Sequence, residues 1–224
     1  MATRSDIKQQ VALLLGETWD TEAGNEPFWL DKLVDQAVVN ICRVTDCYYT
    51  SATYNIDGSP TPDEYIPLDS NAPYKIKRIE VLDSADNVYS LINDEGIVTA
   101  SWADFHIPRW RTDPASGVPD VAIIARPRLY LYPRPDYDKT SGVTLYGYGF
   151  PAAWASNSST FPLEDRAIGA VVYEVAYLRC IQFPTQENMA RLPFLDQQRR
   201  FNTGNLEAEI AIEYDRSRYG SINF

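Results

Sequence analysis

At 224 residues, with 45% apolar side chains and 12% aromatics, the chain can bury a substantial core, and global disorder is excluded. Its formal charge of −11 and pI near 4.5 argue against a protein that grips nucleic acid by neutralising phosphates. The acid is spread along the chain rather than blocked, which reads as a solvated acidic surface or as one that must not adhere to DNA.

Ser5 is positioned to cap a first helix reaching about Glu17, with Ile7, Val11, Leu14 and Leu15 on one face. The segment Thr18–Glu26 reads as a loop. Pro27 suits a helix first turn, and a second helix is expected from Pro27 to Thr45 with Leu30, Leu33, Val34, Ala37, Val38, Ile41 and Val44 as its apolar stripe.

From Tyr48 the hydrophobic period falls to two. Strands are expected over Tyr48–Asn55, Asp63–Pro67, Tyr74–Leu82, Val88–Ile92, Ser101–Ile107, Val121–Arg126, Leu129–Tyr132 and Val143–Phe150. Turn sequences such as Asp57-Gly58-Ser59-Pro60 and Asp113-Pro114-Ala115-Ser116-Gly117 separate them. The stretch from Arg126 to Pro135 alternates Leu and Tyr between prolines. Since proline has no N–H for a ladder, a short strand near a sheet edge is expected, with Val143–Phe150 returning beside it.

Ala155–Thr160 is a polar joint. Pro162, Glu164 and Asp165 mark the start of a third helix, apolar around most of its circumference from Ala167 to Ile181 and so central in its bundle or between subunits. A last helical region covers about Glu187–Arg216, with Pro193 near its beginning and a bend at Gly204. Leu192, Leu195, Phe201, Leu206, Ile210 and Tyr214 supply its apolar contacts, and Ser217–Phe224 follows as a tail without a period.

The fold class is therefore α+β, a four-helix bundle formed by both chain ends with an inserted antiparallel β-sandwich or barrel. Residues 1–47 and 162–224 make the helical domain and 48–161 the β-rich insertion. Antiparallel pairing of the insert's first and last strands would bring its ends together, as domain insertion requires.

Catalytic signatures are absent: there is no GxSxG elbow, P-loop, GxGxxG after a strand, or HExxH. His106 and Asp104 would share one face of a strand, but no Ser or Cys nucleophile is suggested nearby. Asp136/Asp138 and Asp94/Glu95 are acid pairs in turn-like sequence, where solvated carboxylates are ordinary. An enzyme of unknown class survives only on these groups. Cys42, Cys47 and Cys180 contain no CxxC pair, so neither a zinc site nor any other cofactor is expected. The opening Met1–Asp6 lacks the apolar core of a signal peptide, and no stretch approaches the roughly 20 apolar residues of a membrane span. A reducing interior and no membrane partner are the expectation.

Two binding readings remain. Trp102, Trp110 and Trp154 could form a glycan-stacking platform on a sandwich face. Arg126, Arg128 and Arg134 with Tyr130 and Tyr132 resemble a single-strand binding face, but Asp120, Asp136 and Asp138 surround them, which favours a protein contact. Arg199 and Arg200 on the last helix are a second contact patch, for a neighbouring subunit.

The order of helix, helix, β insertion, helix, helix resembles the head-to-tail connector (adaptor) proteins of tailed bacteriophages. Four stretches carry the resemblance: Trp29–Ala37 after a short helix, Leu129–Pro135, Leu145–Tyr148 as its partner, and Phe161–Ala170 running into Ala176–Arg179. The resemblance implies a structural virion protein, assembled in the host cytoplasm and without catalysis. About a dozen copies would form a homo-oligomeric ring docked on the portal protein and receiving a tail or nozzle protein. Double-stranded DNA would pass through the ring without sequence-specific binding. It also implies a C-terminal segment that orders on the portal, a role that falls here to Arg216, Arg218, Tyr219, Ile222 and Phe224. The alternative is a β-sandwich glycan-binding or tail-accessory protein of the particle.

Overall fold

The computed structural model describes residues 2–18, 27, 29–58, 65–92, 96–152 and 156–219, with the side chains of 213–219 left out. The chain divides into two compact units, Met1–Tyr48 with Phe150–Phe224, and Tyr49–Gly149.

The first unit is helical. Helix α1 spans Arg4–Leu15 and is capped by Thr3 rather than Ser5. The Thr3 hydroxyl accepts from the Asp6 N–H while the Asp6 carboxylate accepts from the Thr3 N–H, a reciprocal box that starts the helix ahead of the expected cap. These hydrogen bonds, the one from the Thr3 backbone first, hold the Asp6 carboxyl below its ordinary pKa. The joint beyond the β unit satisfies the next two donors, Arg4 N–H to Ser159 O at 3.1 Å and Ser5 N–H to Asn157 O at 3.0 Å.

Helix α2 covers Leu30–Thr45, shorter at its start than Pro27 suggests. The Leu30 N–H closes a turn on the Pro27 carbonyl, and Trp29 provides no side-chain cap. After one 3₁₀ turn at Asp165–Ala167, helix α4 runs Ile168–Gln182 and helix α5 Gln186–Tyr219.

Helix α4 is the hub, touching α1, α2 and α5. Its Ala170, Val171, Val175 and Ala176 meet Ile7 and Val11 of α1, Leu33, Val34, Ala37 and Ile41 of α2, and Leu195 and Leu206 of α5 in one buried cluster that also takes in Phe161 and Leu163. This explains a helix that is apolar almost all round.

Helix α5 is continuous through Gly204, where a bend is expected. It also carries Ser217–Tyr219, which the sequence alone assigns to the tail.

Charge secures α1. The fully buried Lys8 Nζ lies 2.6 Å from Asp31 of α2 and donates to Asn157 at 2.6 Å. The buried Arg4 reaches Asp31 at 3.1 Å and Asp35 at 2.9 Å. A buried cation is tolerated only when paired in this way.

The second unit is two four-stranded sheets. One has the order β1-β8-β3-β4, from Tyr49–Ile56, Lys139–Tyr148, Lys75–Leu82 and Val88–Ile92, and is wholly antiparallel. The other has the order β2-β7-β6-β5, from Ile66–Pro67, Arg128–Tyr132, Val121–Ala125 and Ile97–Thr99. Inward residues of both sheets, among them Ile79, Val81, Val143 and Leu145 from one and Ala122, Leu129 and Leu131 from the other, form a single core. The first strand pairs with the last, Tyr49 opposite Tyr148.

The Leu/Tyr strand β7 lies one strand in from the sheet edge, beside the two-residue β2, with Pro127 and Pro133 just outside Arg128–Tyr132 where they cost the ladder no donor. Two expectations are corrected. The returning strand β8 does not lie beside β7 but in the other sheet, so the chain switches sheets between them. Ser101–Ile107 is not a strand: Ala100–His106 is helix α3, capped by the Thr99 hydroxyl. Ile97–Thr99, unassigned from the sequence, is β5, paired parallel with β6. A parallel pair needs a crossover, and α3 lies on it.

Two substitutions test these constraints. A Cβ at Gly147, in the middle of the sheet, would sit 2.1 Å from the Lys75 carbonyl oxygen. Gly147→Ala is expected to destabilise the β unit by about 3 kcal/mol, read from urea unfolding. Asp31→Ala strips the shared carboxylate from buried Lys8 and Arg4, and is expected to cost about 3 kcal/mol in the helical unit.

Candidate assembly surface

The two faces of α5 differ. Asn188, Leu192, Leu195, Arg199, Asn202, Leu206 and Ile210 recur at three- and four-residue steps, and Leu195 and Leu206 of this stripe are almost fully buried. A second apolar set lies off it. Phe194, Phe201 and Ile212 are separated by two and then three helical turns, so they share one face. They are 53%, 63% and 52% exposed. Phe201, expected as a core contact, belongs to this exposed set, while Phe194 and Ile212 were missed. Their signal in the sequence is apolar character out of step with the Leu195–Leu206 stripe.

Arg199 and Arg200, adjacent in sequence, have opposite fates. Arg199 turns inward: it pairs with Glu174 of α4 at 3.2 Å and Asp196 at 2.7 Å, and its guanidinium lies 4.2 Å from the centre of the Tyr177 ring. Glu174 is the one carboxylate in the apolar run of α4. It is buried, and it also accepts from Asn40 of α2 at 2.8 Å. Arg200 reaches Asp196 at 2.9 Å with its side chain 75% exposed. Hydrogen bonds from Arg199 first, opposed by partial burial, hold the Asp196 carboxyl below its ordinary pKa.

Asn40, Arg43 and Val44 of α2 line an open groove of about 520 Å³ with Glu174, Arg200 and Thr203. Val44, expected in the stripe of α2, is exposed there. The groove offers both signs of charge and an apolar floor, which suits a protein surface.

The C-terminal residues divide. Arg216, Arg218 and Tyr219 lie on the last turn of α5, with nothing described of their side chains. Ile222 and Phe224 lie outside the described residues.

The β unit absorbs its chemistry-bearing residues into structure. Asp104 and His106 do not share a face, since two helical positions lie on opposite sides of α3. The Asp104 carboxylate accepts from Trp110 Nε1 at 2.8 Å and from Arg111, and the Arg111 bond chiefly holds its pKa down. His106 stacks on Trp102 at 4.2 Å. Of the expected aromatic platform, Trp110 is buried and Trp154 lies outside the described residues, leaving Trp102 against His106.

The basic and tyrosine-rich side chains of the strand also have partners within the β unit, although Arg126 and Arg128 stay exposed. Arg126 donates to the Pro73 carbonyl at 2.5 Å, Arg128 lies over the Tyr65 ring at 4.4 Å, and Arg134 donates to the Arg111 carbonyl. Tyr132 donates to Asp113 at 2.7 Å and Tyr130 packs on Trp110. Asp138 accepts from the Gly58 N–H at 2.7 Å and Asp136 from the Ser116 hydroxyl at 3.5 Å, while Asp94 and Glu95 lie outside the described residues. A cleft of about 240 Å³ opens beside Ile56, Tyr65 and Leu131. That is below the roughly 300–1,000 Å³ of small-molecule pockets. Among the described residues no cluster of His, Cys, Asp or Glu could hold a metal ion, and no helix is long and apolar enough to cross a membrane.

A family model described as SU10 adaptor protein matches residues 2–221, nearly the whole chain. No curated protein matches it.

The unequal arginines are separable by experiment. Arg199→Ala removes the cation paired with buried Glu174 and is expected to cost the helical unit about 3 kcal/mol in urea unfolding. Arg200→Ala is expected to stay within about 0.5 kcal/mol of the parent. The sign with pH follows from the depressed Asp196. Its contribution is present above the unfolded carboxylate pKa and is lost as pH falls through the folded one, so an Asp196→Asn variant should show a shallower acid limb.

Proposed function

Because the chain belongs to the SU10 adaptor protein family, a family of phage adaptors, we propose that it is a head-to-tail adaptor that forms a ring below the portal. It is a structural protein of a bacteriophage, and membership of an adaptor family implies association with portal and tail proteins. In the proposed assembly the helical unit is the mounting body and the β unit an inserted domain. The ring extends the DNA channel and offers the attachment site for a tail or nozzle protein.

The observation that carries this reading is α5. It holds the core with one stripe and leaves Phe194, Phe201 and Ile212 uncovered on another, which is how a helix is built when it has a second partner. The groove beside Arg200 adds a polar rim, and Arg200 with the structurally anchored Arg199 marks the contact for a neighbouring copy. The C-terminal residues Arg216, Arg218 and Tyr219, on the last turn of α5, together with Ile222 and Phe224 bind the portal in this reading. A negative chain lets phosphates pass by repulsion rather than binding, so DNA moves through without sequence-specific contacts. No step requires catalysis.

Electron microscopy of the protein mixed with its cognate portal is expected to show a closed ring of about a dozen subunits on the portal. A protein that remains monomeric with that portal overturns the reading. Deleting residues 217–224 is expected to leave thermal unfolding unchanged and to abolish portal pull-down; retained attachment removes the role given to the tail. Phe201→Asp is expected to leave the monomer folded and to prevent ring closure.

A further inference from the structure

No two of the cysteines are spaced CxxC, yet folding brings Cys42 and Cys47 together. Helix α2 ends at Thr45, and its C-cap, Asp46, holds φ at 53°, a left-handed conformation that residues other than glycine seldom adopt. The Asp46 N–H returns to the Cys42 carbonyl at 3.0 Å. This tight turn swings Cys47 back over the last turn of the helix, so that its Sγ lies 3.8 Å from that of Cys42. The two differ in access. Cys42 is buried in the helical core, while Cys47 is partly exposed at its edge. Cys180 is also buried.

We propose that Cys42 and Cys47 are a dithiol that closes to an intrachain disulfide, with Cys47 as the attacking sulfur and Cys42 as the resolving one, the oxidant being a small-molecule disulfide of the glutathione type. The Cys47 thiolate attacks one sulfur of the oxidant, forming a mixed disulfide and expelling one glutathione thiolate. Cys42 then gives up its proton and attacks the Cys47 sulfur, expelling the second glutathione. Two cysteine thiols are oxidised to one disulfide, and one glutathione disulfide is reduced to two thiols.

The roles follow from access and surroundings. An attacking thiol must meet the oxidant in solvent, which only Cys47 of the pair can do, and a resolving thiol must lie within reach of the mixed disulfide, as Cys42 does. Hydrogen bonding to Cys42, opposed by burial and aided by Thr45 and the charge of Arg166, holds the Cys47 thiol down to about 7. The same contact together with burial pushes Cys42 up. A thiol titrating near ambient pH is the most effective attacker in exchange, since lower values sacrifice nucleophilicity. The bond would tie the end of α2 to the residue two positions before β1. This chemistry is independent of the assembly role.

Arg43 lies between the two cysteines, so trypsin separates them. After the native protein is incubated with oxidised glutathione, a non-reducing map is expected to join the peptides Leu33–Arg43 and Val44–Lys75. Intact mass should fall by two hydrogens, and only Cys180 should remain for alkylation after unfolding. Cys42→Ser is expected to accumulate a glutathione adduct on Cys47, and Cys47→Ser to lose both adduct and disulfide. The proposal is overturned if the parent protein retains three alkylatable thiols, keeps glutathione on Cys47, or forms its disulfide through Cys180.

Discussion

The pairing of β1 with β8 is the constraint on which the architecture depends. Tyr49 and Tyr148 stand opposite each other, so the chain leaves the helical unit, builds two sheets and returns beside its point of departure. Without that closure the first two helices and the last two would meet only at the entropic cost of joining the ends of a loop of about a hundred residues. With it, that cost is met inside the β unit by a long ladder and by the core it covers. Gly147 shows how tightly the closure is made: β8 is gripped by β1 on one side and β3 on the other, and the Lys75 carbonyl occupies the place a side chain would take. The small residue is a requirement of the central strand of the closure.

Once the ends are returned, α4 organises the helices through two kinds of contact. Apolar residues around its circumference meet α1, α2 and α5, and burial of this kind is non-directional. Direction comes from charge. Glu174 is buried and, among the described residues, is met by Asn40 and Arg199, which sets the rotation of α5 against α4 and α2. At the other end, Lys8 and Arg4 converge on Asp31 and Asp35, which sets α1 against α2 although those helices share little apolar surface. Buried ion pairs contribute little net stability compared with apolar substitutes, so their value here lies in specifying one arrangement.

Much of this was legible. The change of period at Tyr48 marked the passage from helix to strand, and the mostly apolar circumference of α4 marked its central place. The misreadings share a cause, which is that local pattern does not report long-range pairing. Ser101–Ile107 alternates well enough for a strand, but β5 and β6 are parallel, and α3 occupies the crossover between them. The Leu/Tyr strand is bounded by its prolines as expected, yet which strand lies beside it, β6 and not the returning β8, is a pairing that the local pattern does not report. At the surface, Arg199 and Arg200 are indistinguishable in sequence. One is bound to a carboxylate 25 positions earlier and the other is exposed to solvent. The Cys42–Cys47 contact was hidden because its spacing of five works only across a helix end that turns back on itself.

The uncovered stripe on α5 has a magnitude that bears on how such a protein assembles. Phe194, Phe201 and Ile212 are already about half buried, so covering what remains would contribute about half of the roughly 1.5–3 kcal/mol of a fully buried side chain, or about 2–5 kcal/mol together. Bringing two copies together costs roughly 4–15 kcal/mol in lost freedom before any contact is counted. That gain lies at or below the low end of the cost, and a net charge of −11 on every copy adds repulsion. Contact along this stripe alone therefore does not repay the cost of bringing free copies together. A partner that holds many copies side by side removes most of the association cost, because each further contact becomes intramolecular. A stripe too weak to join free subunits but sufficient once they are aligned is what templated assembly on a portal requires.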